Sequence, residues 1–101
     1  MSAKILRLST EYVWHEIATD SDLSGSSAEI AFSKEESGTY PLPETESWNE
    51  ADLVNQDGIW WVRFLVGPAG HSLDPGKYRT YIRLTDNPEI IVRTTGYLTV
   101  E

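Results

Sequence analysis

The chain has 101 residues, of which 40% are hydrophobic and 24% charged, the balance of one globular domain that buries a core without staples. It has no cysteine, which excludes a disulfide scaffold, a thiolate nucleophile and any cysteine-based metal site. A formal charge of −8 argues against nucleic acid, which needs a basic footprint to replace phosphate counterions.

The charge is uneven. Residues 1–57 hold 12 acidic and 3 basic side chains, whereas residues 58–101 hold 4 and 5. The first half therefore reads as a solvated acidic face, with docking on a basic partner as the functional alternative. "MSAKILRLSTEYVW" has no apolar core or cleavage site of a signal peptide, and no run reaches the length of a membrane span. The expectation is a single domain over residues 1–101, folded in cytoplasm.

In chain order, "KILRLST" (Lys4–Thr10) and "EYVWHEIAT" (Glu11–Thr19) read as strands, rich in β-branched and aromatic residues. His15 falls at a parity expected to face outward. "TDSDLSGSS" (Thr19–Ser27) is a loop. Its Asp20, Asp22, Ser24 and Gly25 match the first half of a calcium loop, but Ala31 stands where a bidentate glutamate is required. An Asx turn is the default reading, with an irregular calcium site as the alternative.

"AEIAFSKEE" (Ala28–Glu36) alternates Ala28, Ile30 and Phe32 against Glu29 and Ser33. "SGTYPLPETES" (Ser37–Ser47), with two prolines, is a long excursion or an edge. Its Glu44 and Glu46, with Glu35 and Glu36, read as solvated carboxylates rather than an acid–base pair. "WNEADLV" and "IWWVRFLVG" form a hairpin about Asp57-Gly58, since Asp-Gly suits the positive φ of tight hairpin turns. Trp60 and Trp61 must point to opposite faces. One fits a core; the other needs cover from the excursion, a protein partner or a sugar ring.

"GPAGHSLDPG" is a loop holding His71. "KYRTYIRL" then alternates cleanly, with Tyr78, Thr80, Ile82 and Leu84 inward and Lys77, Arg79, Tyr81 and Arg83 outward. "TDNP" turns the chain, and "EIIVRTTGYLTV" closes it as a strand bulged near Gly96. About seven short strands imply an all-β, antiparallel, immunoglobulin-like sandwich. Tyr78, two residues beyond the Pro75-Gly76 corner, matches the tyrosine of such folds that bonds back to the preceding loop. No nucleophile elbow or phosphate loop is present, neither histidine has a catalytic signature, and no cofactor is implied. A contact surface of Trp48, Trp61, Arg79, Tyr81 and Arg83 is the expected working part, because interfaces favour these residue types.

The ordered segments "SWNEADLV", "VRFLVGPAG", "LDPGKYRTYIRLTDNPE" and "GYLTV" give a resemblance to small immunoglobulin-like virion proteins of phages infecting actinobacteria. More distantly, the chain is similar to the N-terminal domain of siphophage baseplate upper proteins. The likeness spans roughly Ala28–Val100. This sequence lacks the C-terminal receptor-binding or coiled-coil portion of the baseplate proteins. The resemblance implies a non-enzymatic virion component that decorates the capsid, sits at the head–tail junction or ornaments the tail. Its partners would be other virion proteins in many symmetric copies, without nucleic acid or membrane. The competing expectation is a carbohydrate-binding module that uses an exposed Trp61 or Trp48.

Overall fold

The clean alternation of residues 78–84 is obeyed in the computed structural model. Tyr78, Thr80, Ile82 and Leu84 are 5, 1, 3 and 6% exposed. The structure describes residues 2–6, 8–17, 22–44, 47–86 and 89–101. The Asn87-Pro88 turn, Asp20 and Glu46 lie outside the described residues.

The fold is all-β, with its strands in a mixed sheet. Its strands are β1 (Ser2–Ile5), β2 (Glu11–Ile17), β3 (Ser27–Lys34), β4 (Asn49–Gln56), β5 (Ile59–Val66), β6 (Gly76–Asp86) and β7 (Glu89–Val100). They are ordered β1-β7-β6-β3-β4-β5-β2. β4 joins two layers: Asn49–Ala51 pair with β3, whereas Asp52–Gln56 pair with β5. One strand thus begins in the layer of β7, β6 and β3 and ends in the layer of β5 and β2.

The expected purely antiparallel arrangement needs one correction. β1 runs parallel to β7, with Ser2 opposite Tyr97 and Ile5 opposite Val100. After Ile5 the chain leaves this layer and enters the other as β2 against β5. A first strand that switches layers in this way has no hairpin partner to fix its direction.

Between the layers, two apolar groups meet. One contains Ile5, Val13, Val66, Tyr78, Leu98 and Val100; the other contains Ala28, Ile30, Val62, Ile82 and Leu84. Phe32 and Phe64 belong to the margins of both, with ring centroids 5.8 Å apart. The Asp57-Gly58 turn has φ of 53° and 82°, the two positive values of a type I′ hairpin. Asn55 braces it by accepting the Gly58 N–H at 3.2 Å. The bulge near Gly96 is also present: Thr80 faces Gly96 and Tyr81 faces Thr94, so Thr95 is the extra residue.

The corner forms as the sequence implies. The Tyr78 hydroxyl donates to the Asp74 carbonyl at 2.6 Å, four residues upstream, while the ring packs against the core. Burial, and then the Asp74 carboxylate, raise the phenol above the usual tyrosine pKa. Tyr78→Phe keeps the packing and loses this bond, so it is expected to cost about 0.5–1.5 kcal/mol by chemical denaturation. An unchanged midpoint would show that the hydroxyl does not hold the corner.

Candidate interaction faces

Each layer has an outer face, and the expected contact residues divide between them. Trp61 lies on the outer face of the β2–β5–β4 layer; Arg79, Tyr81 and Arg83 lie on that of β3–β6–β7. β6 pairs with β3 and β7, not with β5, so these residues do not form one surface.

On the first face, β2 and β5 place Trp14 beside Arg63 and Glu16 beside Trp61, and β4 places Asp52 on the other flank of Arg63. Trp14 meets Trp61 edge to face, with centroids 6.1 Å apart and planes at 86°. Arg63 lies 4.5 Å from the centroid of Tyr12 and 5.4 Å from that of Trp14. Its Nε and Nη2 both donate to Asp52 Oδ2, at 3.1 and 2.9 Å. Tyr12 remains 47% exposed. The result is a cation held over aromatic rings by a carboxylate, with its outer rim open to solvent. Trp14 supplies part of the cover that Trp61 needs.

Sequence reasoning missed Tyr12, Trp14 and Asp52 as members of this face. Their parity was visible, but the β2–β5 register that brings Trp14 to Trp61 was not. That register also corrects His15. It is opposite Val62, shares the inward parity of Val13 and Ile17, and is largely buried. Its Nε2 has no hydrogen-bond partner among the described residues, and burial chiefly lowers its pKa from 6.5 to about 4.

The second face is mostly closed. Tyr81 was expected to point outward into a contact, and it does point out of the core, yet it is only 4% exposed. The excursion after β3 folds back here: Ser33 Oγ donates to the Pro41 carbonyl, and Tyr40 packs on Tyr97 with centroids 5.4 Å apart. A tight turn at Ser37-Gly38, with φ of 52° and 83°, starts the return. Arg79 sits 5.8 and 5.7 Å from the rings of Tyr81 and Tyr97. Arg83 covers Trp48 at 4.6 Å and pairs with Glu29 at 2.8 Å. The excursion therefore lies against Ser33 and Tyr97 on this face, and both arginines are engaged within the chain.

At the Asp22 loop, Asp22 Oδ1 accepts the Ser24 N–H at 2.9 Å, the Asx turn expected there. That bond lowers the Asp22 pKa. Among the described residues no three His, Asp or Glu side chains gather to hold a metal ion. His71 packs against Phe32 and Phe64, with centroids 6.0 and 5.5 Å away. No protein-family model matches the chain, and no curated protein is significantly similar to it.

Proposed function

We propose that this protein is a non-enzymatic structural or accessory component of a tailed-phage virion, acting by protein–protein contact through the face built on Tyr12, Trp14, Trp61 and Arg63. The observation that carries the contact reading is the pre-ordered arginine. Arg63 is fixed by Asp52 and by two rings before any partner arrives, so docking there immobilises little that is not already held. Trp, Tyr and Arg are also the residues that dominate interface energies. The phage assignment rests on the order of segments in the sequence.

A glycan platform is less favoured by the same rings. Tyr12 and Trp14 are inclined at 62° and Trp14 and Trp61 at 86°, so neither pair offers the coplanar surface on which a chain of sugar rings would lie.

The test is co-sedimentation of the chain with particles purified from a lysate in which it is made. The wild-type chain is expected to travel with the particles. Arg63→Ala is expected to reduce incorporation by roughly tenfold or more, the effect of losing a central anchor, while circular dichroism stays that of the folded chain. A wild-type chain that remains in the supernatant and never enters gradient-purified particles would overturn the virion reading.

A further inference from the structure

β7 has two flanks, and they are not equally used. β6 pairs with it from Glu89 to Val100, but β1 covers its other flank only from Tyr97 to Val100. Among the described residues no strand pairs with the flank at Glu89–Thr94. Every second residue of such an edge directs its N–H and C=O away from the sheet, which makes it a template for another strand. Ile90 and Val92 are 65 and 46% exposed. Among the described residues Glu89 and Arg93 have no ion-pair partner, and Arg93 donates to the carbonyl of neighbouring Val92 at 3.1 Å.

The order of residues along this edge identifies what it fits. "EIIVR", Glu89–Arg93, is complementary to itself when reversed. We infer that the open edge of β7 pairs antiparallel with the same edge of a second copy of this chain, about a two-fold axis at Ile91. In that register Glu89 of each copy faces Arg93 of the other. Ile90 of each faces Val92 of the other, and the two Ile91 residues face one another. The ion pairs fall on the face of Ile91 and the exposed apolar pairs on the opposite face, as strand alternation requires. A two-fold contact is the one in which residue i meets j and j meets i, so the Glu89–Arg93 ion pair forms twice from a single complementarity.

Among the described residues the edge is clear for this length. β1 begins opposite Tyr97, four residues beyond Arg93, and the bulge at Thr95 separates the two segments. The other terminal strand, β2, shows the contrast. Glu11–Ile17 carries two glutamates and no lysine or arginine, so pairing it with itself leaves carboxylates without a cation. Five residues per copy make a small contact, and the dimer is weak and rapidly exchanging. This inference is independent of the virion assignment.

Charge reversal at the exposed ends tests it. The full chain, followed by sedimentation equilibrium up to millimolar concentration, is expected to dimerise reversibly. Glu89→Arg places two arginines opposite each other twice per dimer, and Arg93→Glu does the same with glutamates. Each single variant is expected to dimerise about tenfold more weakly or worse. Mixed in equal amounts, E89R and R93E restore two attractive pairs and are expected to form a heterodimer. The double variant, E89R with R93E, is expected to regain homodimerisation. A wild-type chain that is monomeric at millimolar concentration would overturn the inference. So would single variants that self-associate as well as wild type, or a mixture that fails to associate when wild type does.

Discussion

Gly67→Ala is expected to cost roughly 3–5 kcal/mol, a large part of the stability of a domain this size. Gly67 follows β5 directly, at φ 129°, where L side chains are strained. It also lies beneath the segment that leads into β2. A Cβ at this position would meet the Ser9 carbonyl oxygen and come within 2.6 Å of the Thr10 Cα, both of them backbone. Neither atom can rotate away as a side chain would. The glycine is tied from both sides as well: its N–H donates to the His71 carbonyl at 2.9 Å, and its carbonyl accepts the Gly70 N–H at 3.0 Å. Thr10 Oγ1 accepts the Ala69 N–H at 3.2 Å. To accept a methyl, the loop would have to part from Ser9–Thr10, next to the point where Glu11 begins pairing with Val66. Gly58→Ala is the control, because φ there is 82° but nothing lies within 4 Å of the added carbon. That variant should lose only the conformational term of about 1–2 kcal/mol. Urea denaturation of both separates the two costs. Equal losses would mean that the Ser9–Thr10 approach is not tight.

What the sequence disclosed and what it withheld follow the range of the interactions. The Asp57-Gly58 turn, the inward run from Tyr78 to Leu84, the Tyr78 corner and the Gly96 bulge each depend on a few neighbouring residues, and each is present. The parallel pairing of β1 with β7 and the passage of β4 between layers depend on partners tens of residues away, and no local pattern encodes them. His15 shows how this carries over to a site. In "EYVWHEI" one parity holds Tyr12 and Trp14 and the other Val13, His15 and Ile17, so either could face a core. Placing His15 outward assigns the larger aromatic rings to the interior. The fold instead seats the slimmer Val13 and Ile17 between the layers and turns the rings out to Arg63. The shared face of Trp61 and Arg63 was legible within one strand; the arrival of Trp14 and Asp52 was not, because it depends on the registers of two others. Tyr81 was correctly given its parity, but its burial on that outer face leaves no periodic signal.

The inward histidine gives the protein a definite response to acid. A histidine free in the unfolded chain titrates near 6.5, whereas His15 in the fold does so at about 4. Above pH 6.5 both states leave the ring neutral, and stability is unaffected. Below it the unfolded chain takes up a proton that the folded one refuses, so stability falls as the pH drops and levels off once His15 itself titrates near 4. At about 1.4 kcal/mol for each pH unit of the gap, the loss over that window amounts to about 3 kcal/mol. His15→Leu isolates the histidine. Leucine is of similar bulk, carries no proton, and removes the Nε2 that lacks a partner beside Val62. The variant is expected to be at least as stable as wild type at pH 7. Its advantage should widen by about 3 kcal/mol as the pH falls to 4. Parallel stability curves for the two chains across that window would mean that the ring is already open to water in the fold. In that event β2 could not lie against β5 with Val13, His15 and Ile17 turned inward, and the aromatic face that the same strand presents through Tyr12 and Trp14 would be lost with it.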